Sequence, residues 1–95
     1  MASWRKLLLQ MLSDASPNTY TYDDATLVLK RLGFQLAPHG GGSHRMWRLR
    51  TASGNTVMVG LVERGTGALK PYLIRDMLAQ LRANGLIPDD LGADS

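Results

Sequence analysis

The chain has 95 residues, of which 44% are apolar and 20% charged, with no cysteine and a formal net charge of +3. That length supports one core and not two, and the composition is that of a globular rather than a disordered chain. The lack of cysteine excludes a disulfide framework, a thiolate zinc site and a thiol nucleophile.

The first helix is expected at Trp4–Leu12, where Trp4, Leu7, Leu8, Met11 and Leu12 fall on one face. The apolar run after Arg5 and Lys6 is only Leu7-Leu8-Leu9 before Gln10. It is too short for a signal-peptide core, and no stretch reaches the ~20 apolar residues of a membrane span. A cytoplasmic protein with no membrane contact is therefore expected. Ser13-Asp14-Ala15-Ser16-Pro17-Asn18 reads as a loop.

A second helix opens at Thr21, where Thr21-Tyr22-Asp23-Asp24 resembles a capping box with Asp in place of Glu. Ala25, Val28, Leu29 and Leu32 continue it as an apolar stripe, and Gly33 is placed to end it in a left-handed conformation. Phe34–Ala37 alternates as a short strand would, and Pro38-His39-Gly40-Gly41-Gly42 forms a turn. Ser43–Arg50 alternates more clearly, with Trp47 and Leu49 on one face and His44, Met46, Arg48 and Arg50 on the other. After a turn at Thr51–Asn55 comes a third strand, Thr56–Val62.

Arg64-Gly65-Thr66-Gly67 reads as a flexible connector. The last helix begins at Pro71, carries Ile74, Met77, Leu78 and Leu81 as its stripe, and ends at Asn84-Gly85. Asp89, Asp90 and Asp94 mark 88–95 as a frayed acidic tail. The fold class is α+β: a three-stranded antiparallel sheet with helices on one face and the other face open. One domain spans 1–95, with a helix and loop over 1–19, a core over 20–87 and the tail.

Ahead of Asp89, 11 basic residues stand against 5 acidic ones. Between His44 and Arg75 the balance is Arg45, Arg48, Arg50, Arg64, Lys70 and Arg75 against Glu63 alone. Such an excess attracts phosphate, as in nucleic acid, and is equally compatible with a merely solvated face.

Gly40-Gly41-Gly42-Ser43-His44-Arg45 is the segment where chemistry would sit. Glycine backbone can approach a ligand closely and offer N–H groups to phosphate oxygens, here at Gly42 and Ser43. A histidine titrates near neutrality and can take the proton of a ribose 2′-hydroxyl. Arg45, Arg48 and Lys70 are candidates to hold the charge that develops at phosphorus. Lys70 and Arg75 flank the start of the last helix, a natural phosphate site. By itself the segment reads more often as a surface or strand-edge histidine beside a hairpin turn than as a catalyst. His39 and His44 make an incomplete metal site, so neither metal nor cofactor is expected. Trp47 is assigned to the core.

These residues carry a resemblance. Thr21-Tyr22-Asp23-Asp24, Leu29-Lys30-Arg31-Leu32-Gly33-Phe34, Gly42-Ser43-His44-Arg45-Met46-Trp47-Arg48 and Gly67-Ala68-Leu69-Lys70-Pro71-Tyr72-Leu73-Ile74-Arg75 occur in an order and spacing similar to the HicA toxins of type II toxin–antitoxin systems. The resemblance covers residues 20–87. It implies a double-stranded-RNA-binding-domain-like fold and ribosome-independent cleavage of mRNA with His44 as the essential residue. It also implies a HicB-type antitoxin partner that blocks the active site. The chain departs from the pattern in its helix at Trp4–Leu12 and in holding Arg45 and Arg50 where many members have further histidines. A general acid would then be Lys70, Tyr72 or solvent. The alternatives are a non-catalytic RNA-binding module of the same fold and a protein-interaction domain with a basic face.

Overall fold

The computed structural model describes residues 3–38, 41–63, 67–89 and 91. Helix α1 (Trp4–Ser13) is capped by Ser3, whose hydroxyl accepts from the Lys6 N–H. Helix α2 (Tyr22–Arg31) starts with the full reciprocal box: the Asp24 N–H donates to Thr21 Oγ1, and the Thr21 N–H donates to Asp24 Oδ2. Asp23 and Asp24 face the positive end of its dipole, and Lys30 and Arg31 the negative end.

Gly33 ends α2 with φ +103°, and the bonds Gly33 N–H to Lys30 O and Phe34 N–H to Leu29 O complete a Schellman motif. Helix α3 (Pro71–Ala83) has Pro at its first position and closes with the same motif. There Gly85 N–H donates to Arg82 O, and Leu86 N–H to Leu81 O.

Strands β1 (Gln35–Leu36), β2 (His44–Arg50) and β3 (Thr56–Val62) form one antiparallel sheet in the order β1-β2-β3. Thr51–Asn55 makes the β2–β3 turn, closed by Thr51 N–H to Asn55 O and by Gly54 at φ +91°. The strand expected over Phe34–Ala37 is shorter than its alternation suggests. Phe34 is committed to the α2 cap and to the core, and Pro38 has no N–H to continue the ladder, although Ala37 N–H still donates to Met46 O.

The register pairs His44 with Val62, Met46 with Gly60, Arg48 with Met58 and Arg50 with Thr56. Paired residues share a face, so these eight form the open face of the sheet. On the other face Trp47, Val57, Val59 and Leu61 are buried with Ala25, Val28 and Leu29 of α2 and Ile74, Met77 and Leu81 of α3. The architecture is α+β, with helices on one face of a three-stranded antiparallel sheet.

Helix α1 belongs to the same core, with Leu8 and Met11 fully buried against α2 and α3. The chain after α3 is not a frayed tail throughout. Leu86 and Ile87 pack on the core ahead of the tail, and within the tail Leu91 is buried in the core, where its apolar side chain is removed from water. His39 and Gly40 of the glycine turn, residues 64–66 of the connector, and Asp90 and Asp94 lie outside the described residues. Among the described residues, no helix is long and apolar enough to cross a membrane.

Candidate active site

His44 is the first residue of β2. The glycines before it take φ values open to few other residues, +130° at Gly41 and +74° at Gly42, so the chain turns sharply into the strand. Ser43 accepts from the Glu63 N–H through its carbonyl at 2.7 Å, which extends the ladder one step past His44. Alternation then sends the His44 side chain to the open face, where it is exposed.

Arg45, one residue on, points to the opposite face. Its guanidinium donates to Gly42 O at 2.6 Å and to His44 O at 3.1 Å, and lies 3.0 Å from Glu63 Oε1. It therefore clasps the turn that delivers His44. The expectation that Arg45 shares a phosphate with His44 does not fit this arrangement, since adjacent strand residues face opposite ways and both of its Nη atoms are already engaged.

Arg48 and Arg50 are exposed on the His44 face. Arg48 lies four strand positions from His44, about 13 Å at ~3.3 Å per residue, which is too far for both to hold one phosphate. Lys70 is the N-cap residue of α3, exposed and making no side-chain capping bond. Arg75 lies on the flank of α3 toward Met11, Leu12 and Asp14. The expected cluster thus divides, with His44, Arg48 and Arg50 on the open face and Arg45 and Arg75 turned elsewhere.

The open face brings His44 together with residues of a different element. A cleft of 410 Å³ runs along the β3 edge of the sheet, where residues of both faces of β3 meet α3. His44 and Val62 lie along it, Met46, Met58 and Gly60 form its floor, and Tyr72, Asp76 and Gln80 line it from α3. Gly60 gives the floor its depth, since a Cβ there would stand 3.2 Å from Met46 Sδ. Tyr72, Asp76 and Gln80 are spaced i, i+4, i+8, one row along the helix beside its buried stripe. Among the described residues, none of the side chains of His44, Tyr72, Asp76 and Gln80 has an ion-pair or hydrogen-bond partner.

Tyr72 was a candidate proton donor from the sequence. Asp76 and Gln80 were not singled out, although their i, i+4 spacing from Tyr72 was the available signal. A second hollow of 640 Å³, beside Tyr22, Lys30, Arg45, Trp47 and Glu63, lies on the helix side of the sheet and, among the described residues, is lined by no histidine. Trp47 is in the core as expected, with its Nε1 unpartnered among the described residues and the Lys30 ammonium 5.8 Å from its ring. No group of three or more His, Cys, Asp or Glu among the described residues is arranged to hold a metal ion. Comparison of the chain with protein-family models, curated proteins and solved structures gives no match.

Proposed function

We propose that this chain is a HicA-type toxin: a metal-independent endoribonuclease that cleaves mRNA, built on a double-stranded-RNA-binding-domain-like fold and restrained by a HicB-type antitoxin that covers its cleft. The observation that carries the reading is an exposed His44, without a side-chain partner among the described residues, beside a cleft and on a sheet face that also presents Arg48 and Arg50.

RNA supplies its own nucleophile, so one base is enough to start the reaction. A neutral His44 imidazole takes the proton of a ribose 2′-hydroxyl, and the 2′-oxygen attacks the adjacent phosphorus. As the P–O5′ bond breaks, the departing 5′-oxygen takes a proton from solvent water, which the exposed position of His44 admits. The products are a 2′,3′-cyclic phosphate and a 5′-hydroxyl. Arg48 and Arg50 hold neighbouring phosphates along the strand and set its course. Arg45 contributes indirectly, by fixing the carbonyls of Gly42 and His44.

The test is expression of wild type and His44→Ala in a bacterial host, with growth and mRNA integrity followed together. Wild type is expected to arrest growth and cut mRNA. His44→Ala is expected to lose at least about a hundredfold in cleavage, the usual worth of a general base. A His44→Ala protein that is equally toxic and still cuts RNA overturns the assignment. Wild type that binds RNA and leaves it intact makes the chain a binding module instead.

A further inference from the structure

The cleft beside His44 is built for something other than phosphate. Its α3 wall carries Asp76, a carboxylate with no cation paired to it among the described residues, in a protein whose charge is otherwise basic. A phosphate there would meet like charge in a partly enclosed space. The floor of Met46, Met58 and Gly60 is apolar, and Tyr72, 53% exposed, adds an aromatic ring at the side. The volume of 410 Å³ falls in the range of roughly 300–1,000 Å³ typical of small-ligand clefts.

We infer that this cleft is a nucleobase subsite, which takes one unstacked base of single-stranded RNA, guanine above the others, next to the bond attacked from His44. The inference rests on the ribonuclease reading and adds the form and the base of the substrate. Methionine thioethers and a tyrosine ring offer polarisable surface to a π-face. Asp76 and Gln80 are neighbours one helical turn apart, and they present a pure acceptor beside an amide donor. The Watson–Crick edge of guanine carries the matching set: N1–H and N2–H for the carboxylate and O6 for the amide. A base held in a duplex cannot reach the floor, so duplex RNA is a poor substrate. The phosphates stay outside, over Arg48 and Arg50.

The experiment measures binding of uncleaved RNA to His44→Ala protein. The probes are a uridine octamer with one central guanosine, an all-uridine octamer, and the guanosine octamer annealed to its complement. The guanosine strand is expected to bind at least about tenfold more tightly than either of the others.

Adding Tyr72→Ala is expected to weaken the guanosine strand by about tenfold, the worth of one base–aromatic stack. Tyr72→Phe restores most of that loss. Adding Asp76→Asn removes the preference for guanosine over uridine. Thermal melts check that each variant is folded, as the exposure of both side chains predicts.

Equal binding of single strand and duplex, or affinity indifferent to Tyr72→Ala, overturns the subsite. So does a Tyr72→Phe variant as weak as Tyr72→Ala. The parent reading is judged separately, by cleavage in wild type. If wild type cuts RNA through His44 while the cleft variants bind normally, only the subsite fails. If the cleft variants lose only the capture of an antitoxin, the cleft belongs to a protein partner and the proposal is wrong.

Discussion

At the scale of single residues, local partners decide what a charge is free to do. Arg45 and Arg48 look alike in the sequence, but Arg45 is bonded to Gly42, His44 and Glu63, whereas Arg48 stands exposed on the open face. Tyr20 shows the same effect on a titration. Its ring is buried and its hydroxyl lies 3.4 Å from Asp14 Oδ2. Burial first, and the Asp14 carboxylate second, push its pKa above the ordinary tyrosine value. The folded state therefore holds this proton more tightly than the unfolded chain. The stability it contributes is complete below the unfolded value, roughly 10, and is lost as pH rises through the higher folded value. Urea unfolding between about pH 8 and 11 is expected to show wild type losing more stability than Tyr20→Phe. Equal slopes would remove Tyr20 from the account.

At the scale of elements, caps and turns fix where each segment stops. Gly33 serves both α2 and the sheet. It takes φ +103° to close the Schellman motif, and a Cβ there would lie 3.3 Å from Leu49 Cδ1. Gly33→Ala is expected to cost about 1–2 kcal/mol in urea unfolding, from the left-handed backbone alone, plus any cost of moving Leu49. Gly54→Ala, at φ +91° with nothing within 4 Å of its Cβ, isolates the backbone part. The larger loss is therefore expected at Gly33. The limits of α2, β3 and α3 were legible because capping boxes, proline starts and glycine stops act over a few residues. β1 was harder to delimit, since Phe34 alternates with its neighbours and yet is claimed by the helix cap and the core.

At the scale of the whole molecule, helix α1 is part of the same core as the rest of the chain. Leu8 of α1 is fully buried in the same cluster as Leu29, Ile74 and Leu81. Leu8→Ala is expected to destabilise the protein by about 2–5 kcal/mol, the range for a truncated core leucine. A loss under about 0.5 kcal/mol, as for a surface site, would mean that α1 is an appendage. Leu91 extends the core at the other terminus, a role hidden in the sequence by the acids around it.

The sequence by itself determined the order of elements, the antiparallel sheet, the two faces of β2 and the placing of His44 opposite Trp47. Each follows from periodicity or turn chemistry that is local along the chain. Only the tertiary structure decided what His44 faces. The row Tyr72, Asp76 and Gln80 comes from a helix that begins nearly thirty residues later, and it meets the floor of Met46, Met58 and Gly60 because the buried stripe of α3 packs against β3. Burial of that stripe fixes how the helix is rotated, and the rotation brings its adjoining row to the β3 edge, where the open face ends. Residue spacing sets which side chains share a row, and packing alone sets what the row confronts.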